Sequence, residues 1–348
     1  MEASSHGLLD AANSKTIDVF LQQHRKQSKK LRTRGGFQAA FPLYHMNRHK
    51  HRRRKTKTES KKTMHTKQSV TNSVIAAFGL LLTLLAVSQT AQAEDIQSRQ
   101  FVAPAVFQAA GTNVASIQST VDAFRARLGD PNNLNNPGPL KNGRREINWD
   151  GGNPDVLDTT APVTPFNVFL NTRGSQFTTP GLGLSQGPPS GGPQGGFAVL
   201  FGNPTYGKIF TTFSPSRLFT PVGSNITEAA FFIPGTNGTV PAKVRGFGAV
   251  FTDVDQPDGD GPAGRRGNRG ASTLIDYFDQ NGRLLFSSFV PASPGDASLS
   301  FFGIVFDDAR IASVRIKAGN VAPGPNDDER HDVVVMDDFI YGEPQLLH

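Results

Sequence analysis

The sequence predicts an all-β protein: a two-sheet, jelly-roll-like sandwich with one N-terminal amphipathic helix. Three observations carry that expectation. Residues 94–348 hold 32 Gly and 23 Pro in 255 positions, about 22% against a usual total near ~12%, so turns are frequent. Twenty-two Phe are spread between them, which supplies the apolar mass of a packed core rather than a disordered chain. The runs between turns are short, and several alternate apolar and polar, the period of a half-buried strand.

The helix comes first. Val114, Ile117, Val121, Phe124 and Leu128 are spaced 3, 4, 3 and 4 apart, which puts them on one stripe. Asn113 caps the start and Gly129 stands where a C-terminal αL residue belongs. The stripe is expected across the outside of the sandwich or over a sheet edge. A loop without periodicity follows over 130–143. Strands are then expected at Arg144–Trp149, Phe166–Leu170, Gln176–Thr179, Phe197–Phe201, Lys208–Phe213, Arg217–Val222 and Thr227–Ile233, with the Gly/Pro-rich Gly181–Gly196 as an irregular loop.

The last hundred residues are the most patterned. Lys243–Asp253 places Phe247, Ala249 and Phe251 on one face. Thr273–Asp279 and Leu284–Val290 flank Asn281-Gly282, a type I′ hairpin signal because both central residues need positive φ. Leu299–Phe306 is nearly continuous in apolar residues and suits a strand buried on both faces. In Arg310–Lys317, Ala312, Val314 and Ile316 alternate with Ser313, Arg315 and Lys317, which predicts one wet face. Val333–Tyr341 closes the domain.

The net charge of +7 hides two unlike regions. Residues 1–70 hold 17 Lys and Arg against 4 Asp and Glu, while the rest hold 19 against 25. Between them runs VIAAFGLLLTLLAV (Val74–Val87), 14 uncharged residues, short for a span of ~20 but matching a signal-peptide core of ~7–15. Lys67 precedes it, and Ala91-Gln92-Ala93 forms an A-x-A cleavage site. The expected organisation is a basic extension over 1–63, a signal peptide over 64–93, a helix and loop lead-in over 94–143, a sandwich over 144–343 and a tail over 344–348. Cleavage after Ala93 would leave a secreted or periplasmic chain that meets the membrane only through its signal peptide during export. That chain is acidic, which points away from nucleic acid. Absent cysteine excludes disulfides, thiolate metal sites and cysteine nucleophiles, and in an exported protein it favours a bacterial source.

Four stretches carry a resemblance: GFGAVFTDVD (246–255), LIDYFDQNGRLLFSSFVP (274–291), FFGIVFDDARIASVRI (301–316) and MDDFIYG (336–342). Together, Val244–Gly342 resembles the C-terminal half of the jelly-roll β-sandwich domain of exported bacterial proteins of the PEP-CTERM type, and is similar to galactose-binding-like carbohydrate-binding modules. Arg144–Gly151 (RREINWDG) resembles a secreted bacterial family, a likeness that implies no activity. The chain ends in Pro344-Gln345-Leu346-Leu347-His348, without the sorting tail of the first group. The likeness rests on strand edges, so it specifies fold better than function.

Single motifs divide between a chemical and a plain reading. Gly183-Leu184-Ser185-Gln186-Gly187 matches G-x-S-x-G, but Pro188-Pro189 cannot start the helix a nucleophile elbow needs. Asp253, Asp255, Asp338 and Glu146 are candidate oxygen ligands for a structural Ca²⁺ assembled from strand ends, the alternative for the first two being a solvated turn. The EF-hand pattern fails at Pro257. Arg265, Arg266 and Arg269 would contact phosphate or acidic polysaccharide, or neutralise the acidic run beside them. Trp149 would stack a sugar ring next to Asp150, or fill the core. These features lead to an exported, non-catalytic protein that binds carbohydrate or another extracellular polymer. The alternatives are a glycosidase or lyase using Glu146 and Asp150, and a structural envelope or matrix component.

Overall fold

The computed structural model describes residues 103–151, 159–257, 269–324, 328 and 330–347. The expected extension, the signal peptide and Ala93, the arginines Arg265 and Arg266, and the acidic Asp258 and Asp260 lie outside the described residues. Among those described, no helix is long and apolar enough to cross a membrane.

The protein is mostly β, with two antiparallel sheets packed face to face. The larger sheet runs β1 (Ala105–Gly111), β11 (Leu299–Val305), β8 (Gly246–Thr252), β13 (Val335–Gly342), β5 (Leu218–Val222) and β4 (Gly183–Gly187), and β2 (Arg144–Ile147) pairs with the end of β13. The smaller runs β10 (Leu284–Phe289), β9 (Leu274–Phe278), β12 (Ser313–Lys317), β6 (Ile226–Phe231) and β3 (Ser175–Thr178). A short pair, β7 (Ala242–Lys243) with β14 (Gln345–Leu346), completes the strands. The alternation read from the sequence sets the inner faces. Phe247, Ala249 and Phe251 of β8 and Phe339 and Tyr341 of β13 meet Ile275, Tyr277, Val314, Ile316 and Phe231 from the opposite sheet in one core. The core is largely aromatic, with Phe247 edge-on to Phe339 at 5.3 Å.

Helix α1 (Val114–Leu128) lies on the outer face of the larger sheet. Its buried Ile117, Val121, Phe124 and Leu128 pack on Val250, Phe301, Val305 and Ile340, so the stripe does cover the outside of the sandwich. Asn113 accepts the Ser116 amide at its start. Gly129 has φ +102° with ψ 163°, an extended mirror conformation rather than αL, and still one that glycine adopts most readily. Gly248 and Gly303 are cross-strand partners beneath the Phe124 ring. A methyl group on Gly303 would stand 2.7 Å from that ring and 3.0 Å from the Gly248 Cα, so the bare backbone there is the seat of the helix. Since β11 lies between β1 and β8 and touches both cores, Leu299–Val305 is buried throughout, as its apolar run predicts.

Six expectations change. Strand β1 was not foreseen; its Phe107 and Ala109 pack under α1. Residues Phe197–Phe201 form helix α3 (Gly196–Leu200), and Lys208–Phe213 begins within helix α4 (Tyr206–Ile209). The reason is visible in spacing: Phe197 and Phe201, four apart, bring their rings to 5.7 Å, and Pro188 and Pro189 carbonyls accept the first amides of α3. Phe166–Leu170 gives only a bridge to Phe177 and the start of α2 (Leu170–Arg173). The expected loop Gly181–Gly196 contains β4, because the chain at Val163 lies so close that a methyl on Gly183 would sit 2.4 Å from the Val163 nitrogen. Ser185 is therefore mid-strand and buried, donating to the Thr160 carbonyl at 2.6 Å. The β9–β10 hairpin forms, but Gly282 alone takes positive φ and the Asp279 amide donates to the Arg283 carbonyl. That is a three-residue loop ending in an αL glycine, not a type I′ turn.

Candidate functional site

Several of the candidate residues converge at one corner, and a bulge puts them there. Met336 pairs with Phe251 and Phe339 with Ala249, so Asp337 and Asp338 together oppose the single residue Val250. Met336 and Phe339 both point into the core, and the two carboxyls are left outside it, an arrangement bulges produce at the cost of local pairing. Asp338 Oδ1 accepts from Ser214 Oγ at 2.5 Å, and its Oδ2 lies 3.5 Å from the Arg125 guanidinium. Asp337 Oδ2 accepts the Phe213 amide at 2.6 Å. Glu146 holds Arg125 at 2.9 Å and Arg144 at 2.6 Å.

Asp150 joins the cluster through an unusual turn. Trp149 follows β2 with φ +63°, a genuine outlier for a bulky residue. Its ring is fully buried, stacked on Phe219 at 3.8 Å between centroids, and Nε1 donates to the Asp337 carbonyl at 2.9 Å. The turn then presents Asp150 Oδ1 to the amides of Ser216 and Arg217 at 2.7 and 2.8 Å. A core ring with no open face corrects the expectation that Trp149 stacks a sugar. Ser214 Oγ donates its one proton to Asp338 and lies 3.4 Å from Asp150 Oδ2 and Asp337 Oδ1, so three carboxyls crowd a single hydroxyl donor. Burial raises the pKa of Asp337 well above the usual carboxyl range, with the neighbouring Asp338 charge adding to it. Burial likewise raises Asp338 and Asp150.

The four candidate metal ligands divide between two places. Glu146 and Asp338 both meet Arg125, so a guanidinium is the cation they share. Asp253 and Asp255 follow β8 beside a different loop, where Asp255 Oδ1 accepts the Gly295 amide at 3.1 Å and its own amide donates to Asp332. Among the described residues no group of three or more His, Asp or Glu side chains is arranged to hold a metal ion. Arg269 is exposed beyond that loop. Arg125, Arg144, Ser214 and Asp337 escaped the reading of the sequence. The available signal was the Asp-Asp pair inside an apolar strand, where aspartate is disfavoured.

The outer face of the smaller sheet holds a cleft of about 450 Å³. The register explains its shape. Phe278, Ser313, Ala230 and Gln176 stand side by side across four strands, so small residues form a floor between an aromatic ring and an amide. In the next row Arg315 faces Glu228, donating from Nε at 2.9 Å and Nη2 at 2.6 Å to Oε1. The Arg315 guanidinium also sits 5.8 Å over the Phe278 ring. No bond among the described residues occupies Arg315 Nη1 or Glu228 Oε2, and both side chains are about half exposed.

No family model, curated protein or solved structure matches the chain.

Proposed function

We propose that the protein binds carbohydrate, or a similarly hydroxyl-rich polymer, on the open face of the five-stranded sheet, without catalysis. The observation that supports this is the cleft floored by Ala230 and Ser313, with the Phe278 ring on one side and the paired Arg315 and Glu228 beside it. Adjacent hydroxyls need a donor and an acceptor a fixed distance apart, which Arg315 Nη1 and Glu228 Oε2 supply. The apolar face of a sugar needs an aromatic surface, which Phe278 supplies. An open sheet face suits a polymer, since the chain can enter and leave along it. The reading places the sandwich among the jelly-roll type and outside the cytoplasm, following cleavage after Ala93.

Neither Glu146 nor Asp150 lines this cleft. Both are held by guanidinium or amide donors, which favours binding over a carboxylate-dependent hydrolase. Affinity electrophoresis of the purified protein through gels containing neutral polysaccharides tests the proposal. Retardation by at least one polymer is expected, weakened about tenfold in Phe278→Ala and Arg315→Ala, the loss of roughly 1.4 kcal/mol. Equal mobility in every gel, or retardation unchanged in both variants, would overturn it.

A further inference from the structure

A second cleft, about 310 Å³, lies where the end of α1, the 130–143 loop and the start of β8 meet, and Lys141, Arg245 and Gln345 line it. Its two carboxylates are already committed. Asp130 pairs with Arg144. Glu343, almost fully buried, receives Arg145 Nε at 2.6 Å and Nη2 at 2.7 Å, the Asn133 amide at 2.8 Å and the Leu140 amide at 3.1 Å. The two cations are not committed. Arg245 donates only Nε, to the Phe306 carbonyl at 3.2 Å, and its two terminal nitrogens meet no carboxylate among the described residues. Lys141 is exposed on the opposite loop, likewise without an acidic partner among the described residues.

Charge therefore fails to cancel here. Asp130 is matched by Arg144 and Glu343 by Arg145, leaving two positive groups on one recess. Arg245 is anchored at Nε, which holds its outer fork in place, and a fixed fork is what planar oxyanions are bound by. The recess is at the small end of the ~300–1,000 Å³ usual for ligand sites, room for one ring and its substituent rather than a folded partner.

We propose that this cleft binds the carboxylate of an acidic sugar residue, a uronate, with Arg245 taking the carboxylate and Lys141 adding charge. The choice of a sugar carboxylate rests on the carbohydrate reading above; the anion site itself does not. If both hold, the protein takes a polymer carrying both neutral and acidic units.

The test uses calorimetric titration of the full protein with tri-galacturonate and with the same trisaccharide methyl-esterified at its carboxyls. Binding of the acid, at least tenfold weaker for the ester and weakened by raising salt from 50 to about 500 mM, is the expected result. Lys141→Gln, on an exposed loop, and Arg245→Gln should each lower affinity for the acid about tenfold. Equal binding of acid and ester, no binding of the acid, or full affinity in both cleft variants would overturn the proposal. Binding of a simple carboxylate such as acetate as tightly as the trisaccharide would retain the anion site and remove the sugar. Loss of neutral-polymer retardation with the acid still bound would strike the sheet-face reading alone.

Discussion

The backbone at Trp149 offers a comparison in which the ring cancels. Trp→Ala removes a buried ring stacked on Phe219, at a cost of about 3–5 kcal/mol. Trp→Gly removes the same ring. At an ordinary strand end the glycine variant would be the less stable by ~0.5–1 kcal/mol, through the entropy of its unfolded chain. Here the residue sits at φ +63°, where a Cβ costs roughly 1–2 kcal/mol that glycine escapes. The balance favours Trp149→Gly over Trp149→Ala by up to about 1.5 kcal/mol. Trp149→Phe keeps a ring against Phe219 but leaves the buried Asp337 carbonyl without its donor, for about 1–3 kcal/mol. Since Trp149 is the only tryptophan, urea unfolding must be followed by circular dichroism rather than tryptophan emission. An alanine variant more stable than the glycine variant by ~0.5 kcal/mol or more would refute the claim that the turn is strained.

Arg145→Met should leave Glu343, 5% exposed, as an unpaired buried charge and cost about 3–5 kcal/mol. Thermal melts should show a fall of roughly 10 °C, partly recovered in Arg145→Met with Glu343→Leu. Gly303→Ala should cost about 1–3 kcal/mol by pressing a methyl into Phe124, and the further change Phe124→Leu should return part of it, read from urea midpoints. Asp337→Asn addresses pH. A carboxyl whose folded pKa is raised contributes stability that is whole below its unfolded value near ~3.9 and is lost as pH rises through the folded value. Wild type should therefore lose stability on going from pH 4 upward, and the variant, whose neutral amide can still accept the Phe213 N–H, should lose less. Parallel melting temperatures for the two proteins between pH 4 and 8 would contradict this.

Elements whose burial follows a simple period were readable in advance. The α1 stripe, the inner face of β8 and the wet face of β12 each need only a count of residues. What failed was decided by another piece of chain. Nothing within Gly183–Gly187 marks a strand, and its extended form depends on Val163 lying against it. The segment 197–210 reads as short aromatic strands until Phe197 and Phe201, and Tyr206 and Phe210, are seen to be four apart. At the acidic corner, Asp150, Asp338 and Glu146 were identifiable as carboxylates worth watching. The bulge that adds Asp337 and the helix that brings Arg125 were not, because a bulge exists only in the register between two strands. Trp149 shows the limit from the other side, since its neighbour Asp150 suggested a surface and its ring belongs to the core.

The distribution of unused hydrogen-bonding capacity separates the acidic corner from the two clefts proposed as binding surfaces. At the acidic corner, Asp338 Oδ1 is taken by Ser214 and Oδ2 faces Arg125, Asp150 Oδ1 receives two amides, and both oxygens of Glu146 meet guanidinium groups. A ligand arriving there would have to displace bonds that join α1, β2, β13 and the 213–217 loop, and would lose most of what it gained. On the sheet face and in the recess beside Arg245 the situation is reversed. Arg315 and Arg245 are each held by one edge of the guanidinium, to Glu228 and to the Phe306 carbonyl, while other nitrogens face water. The fold has already restrained these side chains, so a ligand there replaces water without breaking a protein contact, and less ordering entropy is left to lose. The acidic corner thus ties the helix to the sandwich through bonds already made, while Arg245 and Arg315 each keep donors that no bond among the described residues occupies.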